Sequence, residues 1–235
     1  MTGTWQEAAG RLVGDLRSVF GDRLRSVVAY GPHLDGIDDA PLTCLALVDS
    51  LALSDLEGCA HHRARWQRQR IATPLLLPED EFRRSLDAFP LEYGEIIRRH
   101  ARVYGDDPFA SVSIARDDLR RACEGQIKSH LLHLREGFIE AGGRPDAVAA
   151  LVSASAAAFS VLLRNVARLN GVNTTDRMEA TREGARAAEV PDRIVSDLLA
   201  LERPTAVPTT DAARLFPEYL AAVDHLSHIV DQWRS

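Results

Sequence analysis

Apolar residues recur at two different spacings along the chain, and the change of spacing divides it into two parts. Up to Val112, a helical repeat between Trp5 and Phe20 is followed by short apolar runs of strand length. From Asp117 onward, apolar residues recur every three or four positions, which is typical of helices. The pattern therefore predicts an α+β domain over 1–112 and a helical domain over 113–235.

The first half is predicted to form a mixed sheet with flanking helices. Short apolar or β-branched runs predict strands over Ser26–Tyr30, Leu42–Val48 and Ile71–Leu77. Because Pro74 cannot donate a ladder hydrogen bond, the last of these strands is expected at an edge of the sheet. Helices are predicted over Trp5–Phe20, over a segment capped by Ser54 and ending near Arg70, and over Glu79–Leu86. The stretch Phe89–Tyr104 fits neither the helical nor the strand pattern, so no element is predicted for it.

The second half is predicted to be an antiparallel helical bundle with short loops. Its first helix starts at Asp117 and ends at Gly142, since Gly142 and Gly143 supply a C-cap before Pro145. Further helices are predicted over Asp146–Leu169, Thr175–Ala188, Pro191–Leu201 and Asp211–Trp233, with a connector over Arg203–Thr210.

Charge and cysteine content narrow the classes of partner. The 235 residues carry a formal net charge of −6, which disfavours duplex nucleic acid and an anionic membrane as partners. The three cysteines are far apart in sequence and are expected to be reduced thiols in the core, as in a cytoplasmic protein. Among 28 lysines and arginines, only Lys128 is a lysine.

The loop after the first predicted strand carries the most informative motif. Tyr30 and Gly31 end the strand, Pro32 and His33 follow, and Gly36 comes before the next strand. This segment resembles the nucleotidyltransferase superfamily of the DNA polymerase β type, particularly small bacterial members with a helical C-terminal domain, such as the aminoglycoside nucleotidyltransferases. The resemblance implies that Gly31, Pro32, His33 and Gly36 contact a nucleotide.

The same comparison predicts a degenerate catalytic motif. The family serine is replaced by Pro32, which has neither a hydroxyl nor a backbone N–H. The family's paired metal-binding aspartates fall at or near Leu42 and Cys44, and the strand Ile71–Leu77 contains no acid for the third carboxylate. No metal ligand is therefore assigned, and ATP and Mg²⁺ are expected only if the protein is active.

Three acidic residues in this loop, Asp35, Asp38 and Asp39, leave two interpretations open. They form either a solvated turn or a displaced metal site. Their positions in a turn do not give the same-side display that alternate residues of a strand provide.

A second partial match lies in the first bundle helix. The resemblance implies that Glu124 acts as a general base and that Lys128 reaches the nucleotide phosphates. Four residues separate them, so both lie on one side of a helix. The same spacing is typical of a helix-stabilising ion pair, and both interpretations remain open.

Three functional hypotheses follow. The leading one is a catalytically degenerate nucleotidyltransferase-like protein, a pseudoenzyme that serves as a nucleotide-binding or interaction module. The first alternative is an active enzyme that moves a nucleoside monophosphate from ATP to a small hydroxylated acceptor. The second is a structural partner that dimerises with itself or with another protein.

Overall fold

A computed structural model describes residues 5–35, 40–201 and 209–233 of the chain. The contacts within the chain divide it into two units, residues 1–114 and residues 115–235.

The first unit contains a four-stranded mixed sheet in the order β3-β2-β1-β4. Its strands are β1 (Leu24–Tyr30), β2 (Thr43–Val48), β3 (Leu75–Pro78) and β4 (His100–Gly105). β1 lies between β2 and β4 and is antiparallel to both, whereas β2 and β3 are parallel. The sheet and its flanking helices confirm the predicted α+β class.

The described residues of this unit form four α-helices: α1 (Trp5–Phe20), α2 (Leu53–Arg68), α3 (Glu79–Arg84) and α4 (Pro90–Arg98). The stretch Phe89–Tyr104, for which no element was predicted, contains α4 and all of β4 except its last residue. In β4, His100, Arg102 and Tyr104 alternate with Ala101 and Val103. This edge strand is only partly buried, and it lacks the apolar run that marked the other strands.

The structure corrects the predicted starts of α2 and β3. Ser54 does not cap α2, because the N-cap is Ala52, whose backbone N–H donates to the Asp55 carboxylate at 2.9 Å. The third strand does not begin at Ile71, which makes only an isolated bridge with Leu42. β3 begins after Pro74 and occupies an edge of the sheet, as the proline predicted.

Each face of the sheet packs against its own apolar cluster. One face, which includes Ala29, Cys44 and Ala46, packs with Leu12, Leu16, Trp66 and other residues of α1 and α2. The opposite face carries Val28, Leu45 and Leu47, which pack with Phe82 of α3, Tyr93 and Ile96 of α4, and Phe109. Because β2 is covered on both sides, its apolar run has no polar alternation.

The second unit contains the helices α5 (Arg116–Ala141), α6 (Pro145–Leu169), α7 (Arg177–Ala187), α8 (Asp192–Leu201) and α9 (Thr209–Gln232). α6 contacts all the others. Lys128 pairs with Asp231 and Arg135 with Asp224, so α5 and α9 run antiparallel. α5 ends at Gly142, which has a φ of +59°.

α6 is apolar over most of its length. Within the described residues, it is the single helix with the length and hydropathy to cross a membrane. In the structure its buried residues, such as Val152, Phe159 and Leu163, form the centre of the helical unit. Cys44, Cys59 and Cys123 are free and buried, as the sequence predicted.

An ion pair links the first turn of α2 to the residue that precedes β1. The Arg23 guanidinium donates to both carboxylate oxygens of Asp55, at 2.7 and 2.9 Å. Asp55 is 6% exposed, and the hydrogen bonds from Arg23 and from the Ala52 N–H lower the pKa of its carboxyl to about 2. The carboxylate therefore serves both as a helix cap and as a contact between elements.

This pKa predicts a loss of stability in acid. An unfolded aspartate titrates near pH 3.9, so the stabilisation from Asp55 is complete above about pH 4 and is lost as the pH falls to about 2. We expect Asp55→Asn to lower the free energy of unfolding near neutral pH and to flatten its decline between pH 4 and 2, measured by urea unfolding and circular dichroism. Asp80→Asn, which alters an exposed pair with Arg84, is the control. An Asp55→Asn protein with the original pH dependence would contradict this assignment.

Candidate functional site

The chain makes a tight turn where β1 ends. Gly31 follows Tyr30 with a φ of +85°, in the left-handed region that favours glycine. Its carbonyl accepts a hydrogen bond from the Leu34 N–H at 3.0 Å, and Pro32–Asp35 form a 3-10 turn. Gly36, the other predicted glycine contact, lies outside the described residues, as do Asp38 and Asp39.

Two residues that sequence reasoning missed hold this turn. The Thr43 hydroxyl donates to the Tyr30 carbonyl, and the Arg99 guanidinium donates to the Leu34 carbonyl. A Cβ added to Gly31 would lie 2.8 Å from Thr43 Oγ1. The sequence offered one signal for Thr43, a hydroxyl residue at the start of an apolar strand. It offered none for Arg99, which lay in an unassigned stretch.

His33 lies within the 3-10 turn and is half-buried. Its Nδ1 atom is buried and has no hydrogen-bond partner among the described residues. This nitrogen is therefore a buried polar atom for which the described residues supply no partner.

No carboxylate is found on either face of β2. Leu42 and Cys44, where the resemblance places the paired aspartates, are each 1% exposed and pack in the cluster below α1 and α2. Burial raises the pKa of the Cys44 thiol to about 12, so this residue stays a neutral thiol. Neither residue can bind a hard cation.

The opposite face of β2 is equally unsuited to a metal. Leu45 and Leu47 are each 1% exposed and are covered by Phe82, Tyr93 and Phe109. β3 contains no acid, and the described residues contain no cluster of three metal-binding side chains. Mg²⁺ requires oxygen ligands in octahedral geometry. The residues of β2 and β3 therefore do not fit the magnesium ion that the resemblance implies.

The comparisons with known proteins bear on the fold. No family model matches the chain, and no curated protein matches it. It is similar to the crystal structure of a spectinomycin adenyltransferase from Enterococcus faecialis with ATP and spectinomycin. The TM-score is 0.61 over 98% of this chain and 100% of that chain, at 12% identity. The chain has a nucleotidyltransferase-like fold. This confirms the fold that the resemblance implied, and at this identity the likeness concerns the fold alone.

In the helical unit of this nucleotidyltransferase-like fold, Glu124 lies between two cations of α5. Its carboxylate accepts hydrogen bonds from Arg120, at 2.9 Å, and from Lys128, which also lies 3.6 Å from Asp231. These hydrogen bonds lower the pKa of the Glu124 carboxyl. A base with a lowered pKa is weak, so the geometry favours the ion-pair interpretation. The roles of Glu124 as a base and of Lys128 as a phosphate contact stay predictions.

The turn predicts a coupling between Gly31 and Thr43. Gly31→Ala places a side chain at positive φ, which costs about 1–2 kcal/mol, and pushes its Cβ against Thr43 Oγ1. We expect the cost to be smaller in a Thr43→Ala background, because the clash is then removed. The measurement is a double-mutant cycle by urea unfolding.

Gly21→Ala is the matched control for this cycle. Gly21 has a φ of +57°, but a Cβ there would meet nothing within 4 Å, so only the backbone strain remains. Equal costs at Gly21 and Gly31, with no coupling to Thr43, would show that the close approach is unimportant.

Proposed function

We propose that this protein has a nucleotidyltransferase-like fold without nucleotidyl transfer and that it acts as a nucleotide-binding or interaction module. The observation that carries the proposal is the apolar, doubly covered β2. Transfer of a nucleoside monophosphate develops charge on the phosphoryl group, and bound metal ions neutralise that charge. With Leu42, Cys44, Leu45 and Leu47 buried among apolar side chains, the strand supplies no ligand for such ions.

The turn at Gly31 supports the binding half of the proposal. Thr43 and Arg99 hold its backbone in one conformation, and the Nδ1 atom of His33 has no partner among the described residues. A fixed turn loses little conformational entropy on binding, so it favours recognition of a ligand. ATP is the probe that the similarity to a structure with bound ATP suggests.

The experiment is a transfer assay with ATP labelled at the α-phosphate, Mg²⁺ and a panel of hydroxylated acceptors that includes spectinomycin. We expect no labelled product, whereas calorimetry with ATP shows binding. Labelled product would overturn the proposal in favour of the active enzyme. Loss of that product in Glu124→Gln would then support Glu124 as the base.

One observation favours self-association as a second function. Leu132 and Ile139 of α5 are 56% and 77% exposed. They are seven residues apart and so lie on one side of the helix, away from the buried Cys123 and Leu134. An exposed apolar pair of this kind is a candidate contact for a second copy of the chain.

Sedimentation analysis tests this second function. We expect a concentration-dependent dimer that Leu132→Ser with Ile139→Ser converts to a monomer. Leu53→Ser, at a position 71% exposed on α2, is the matched control and should leave the dimer intact. A monomer at all concentrations would eliminate self-association through α5.

A further inference from the structure

The second half of α2 carries a concentration of positive charge. Between Glu57 and Glu79 the sequence contains four arginines, two histidines and no acidic residue, although the whole chain has 34 acids and a net charge of −6. Arginines in the last turn of a helix interact favourably with its dipole, which accounts for Arg65 and Arg68. The dipole leaves Arg63 unexplained, and all three residues are exposed.

Two rows of hydrogen-bond donors run along the exposed side of this helix. Residues three or four positions apart are neighbours on a helix surface, so the spacing in the sequence defines the rows. One row consists of His61, Arg65 and Arg68, and the other consists of Arg63 and Gln67. Ala60 and Ala64 lie between the rows and are exposed, so no large side chain separates the donors.

α1 packs antiparallel to this part of α2 and adds a further cation. The antiparallel direction follows from two contacts, because Asp15 pairs with Arg65 and Ser18 Oγ lies 3.5 Å from His62 Nε2. Arg11 is exposed and lies seven residues before Ser18, on the same side of α1. Arg11 therefore extends the row of α2 arginines beyond Arg65.

Neighbouring acids do not neutralise these cations. Asp15 is 9% exposed, and its carboxylate is already paired with Arg65. Within the described part of the chain, Arg11, Arg63 and Arg68 form no ion pair. The α2 basic patch is defined by Arg11, His61, Arg63, Arg65 and Arg68.

We propose that the α2 basic patch binds a single-stranded nucleic acid. Arginines clustered along one helix are the electrostatic signature of nucleic-acid binding. A guanidinium binds a phosphate through two hydrogen bonds and also stacks on a base, and the Gln67 amide can hydrogen-bond a base edge. The inference goes beyond the proposed nucleotide binding and does not rest on it.

Two other polyanions fit the patch less well. A duplex presents its charge over a broad surface, and the net charge of the chain disfavours it. A membrane surface needs apolar side chains beside the cations, whereas Ala60 and Ala64 occupy the space between the rows. The exposed leucines of α2, Leu53 and Leu56, lie at its other end, about two turns or more before Arg63.

The test is fluorescence anisotropy of the full chain with a labelled oligouridylate, in buffers of increasing NaCl concentration. We expect binding at low salt that weakens as salt is added. Arg63→Gln with Arg68→Gln should weaken binding roughly tenfold or more at low salt, because two charge-assisted contacts are lost. The slope of the logarithm of the binding constant against that of the NaCl concentration should become shallower by about 1.4, since each phosphate contact with a single strand contributes about 0.7.

Arg83→Gln with Arg84→Gln is the matched control. It removes the same charge from α3, where the two arginines pair with Glu79 and Asp80, and should leave binding nearly unchanged. Equal weakening in the two double variants would show that net charge alone drives binding and would overturn the assignment. Absence of binding at low salt would also overturn it. Binding to phosphatidylserine vesicles but not to the oligonucleotide would overturn it in favour of a membrane surface.

Discussion

β2 lies inside the sheet between β1 and β3, and apolar side chains cover both of its faces. Full burial of a leucine or valine stabilises a fold by about 1.5–3 kcal/mol, so this strand is a large contributor to the stability of the first unit. An unpaired carboxylate in the same place would have to be desolvated, at a cost that exceeds this gain. The burial that anchors the sheet therefore also excludes the acids that a metal-dependent transferase needs.

The sequence predicted the strands that are buried on both faces and the helices that are buried along one side. Continuous apolar runs marked β1 and β2, and a repeat of three and four residues marked α5 and α6. It failed at β4, whose residues are half-buried and mix His100 and Arg102 with Ala101 and Val103. An edge strand takes its identity from pairing with β1, which is a long-range interaction that local periodicity does not contain.

In the candidate site, too, local features were predicted and features that depend on long-range contacts were missed. The turn at Gly31 was predicted from the residue type alone, because a glycine directly after a strand indicates a turn that needs positive φ. Thr43 and Arg99 were missed, since each acts on the turn through a hydrogen bond across a long stretch of sequence. The sequence itself shows that Leu42 and Cys44 are not acids. The burial of Leu45 could be seen only in the structure, because α3, α4 and Phe109 cover this residue.

Glu124 and Lys128 illustrate why spacing alone could not decide a role. A base beside a phosphate-binding lysine and a helix-stabilising ion pair both need four residues between the charges. In the structure, the neighbour Arg120 brings a second cation to the Glu124 carboxylate and adds to the lowering of its pKa by Lys128. A carboxylate held by two cations has a lower proton affinity than an unpaired one, which favours the ion-pair interpretation and leaves the role of Glu124 as a base a prediction.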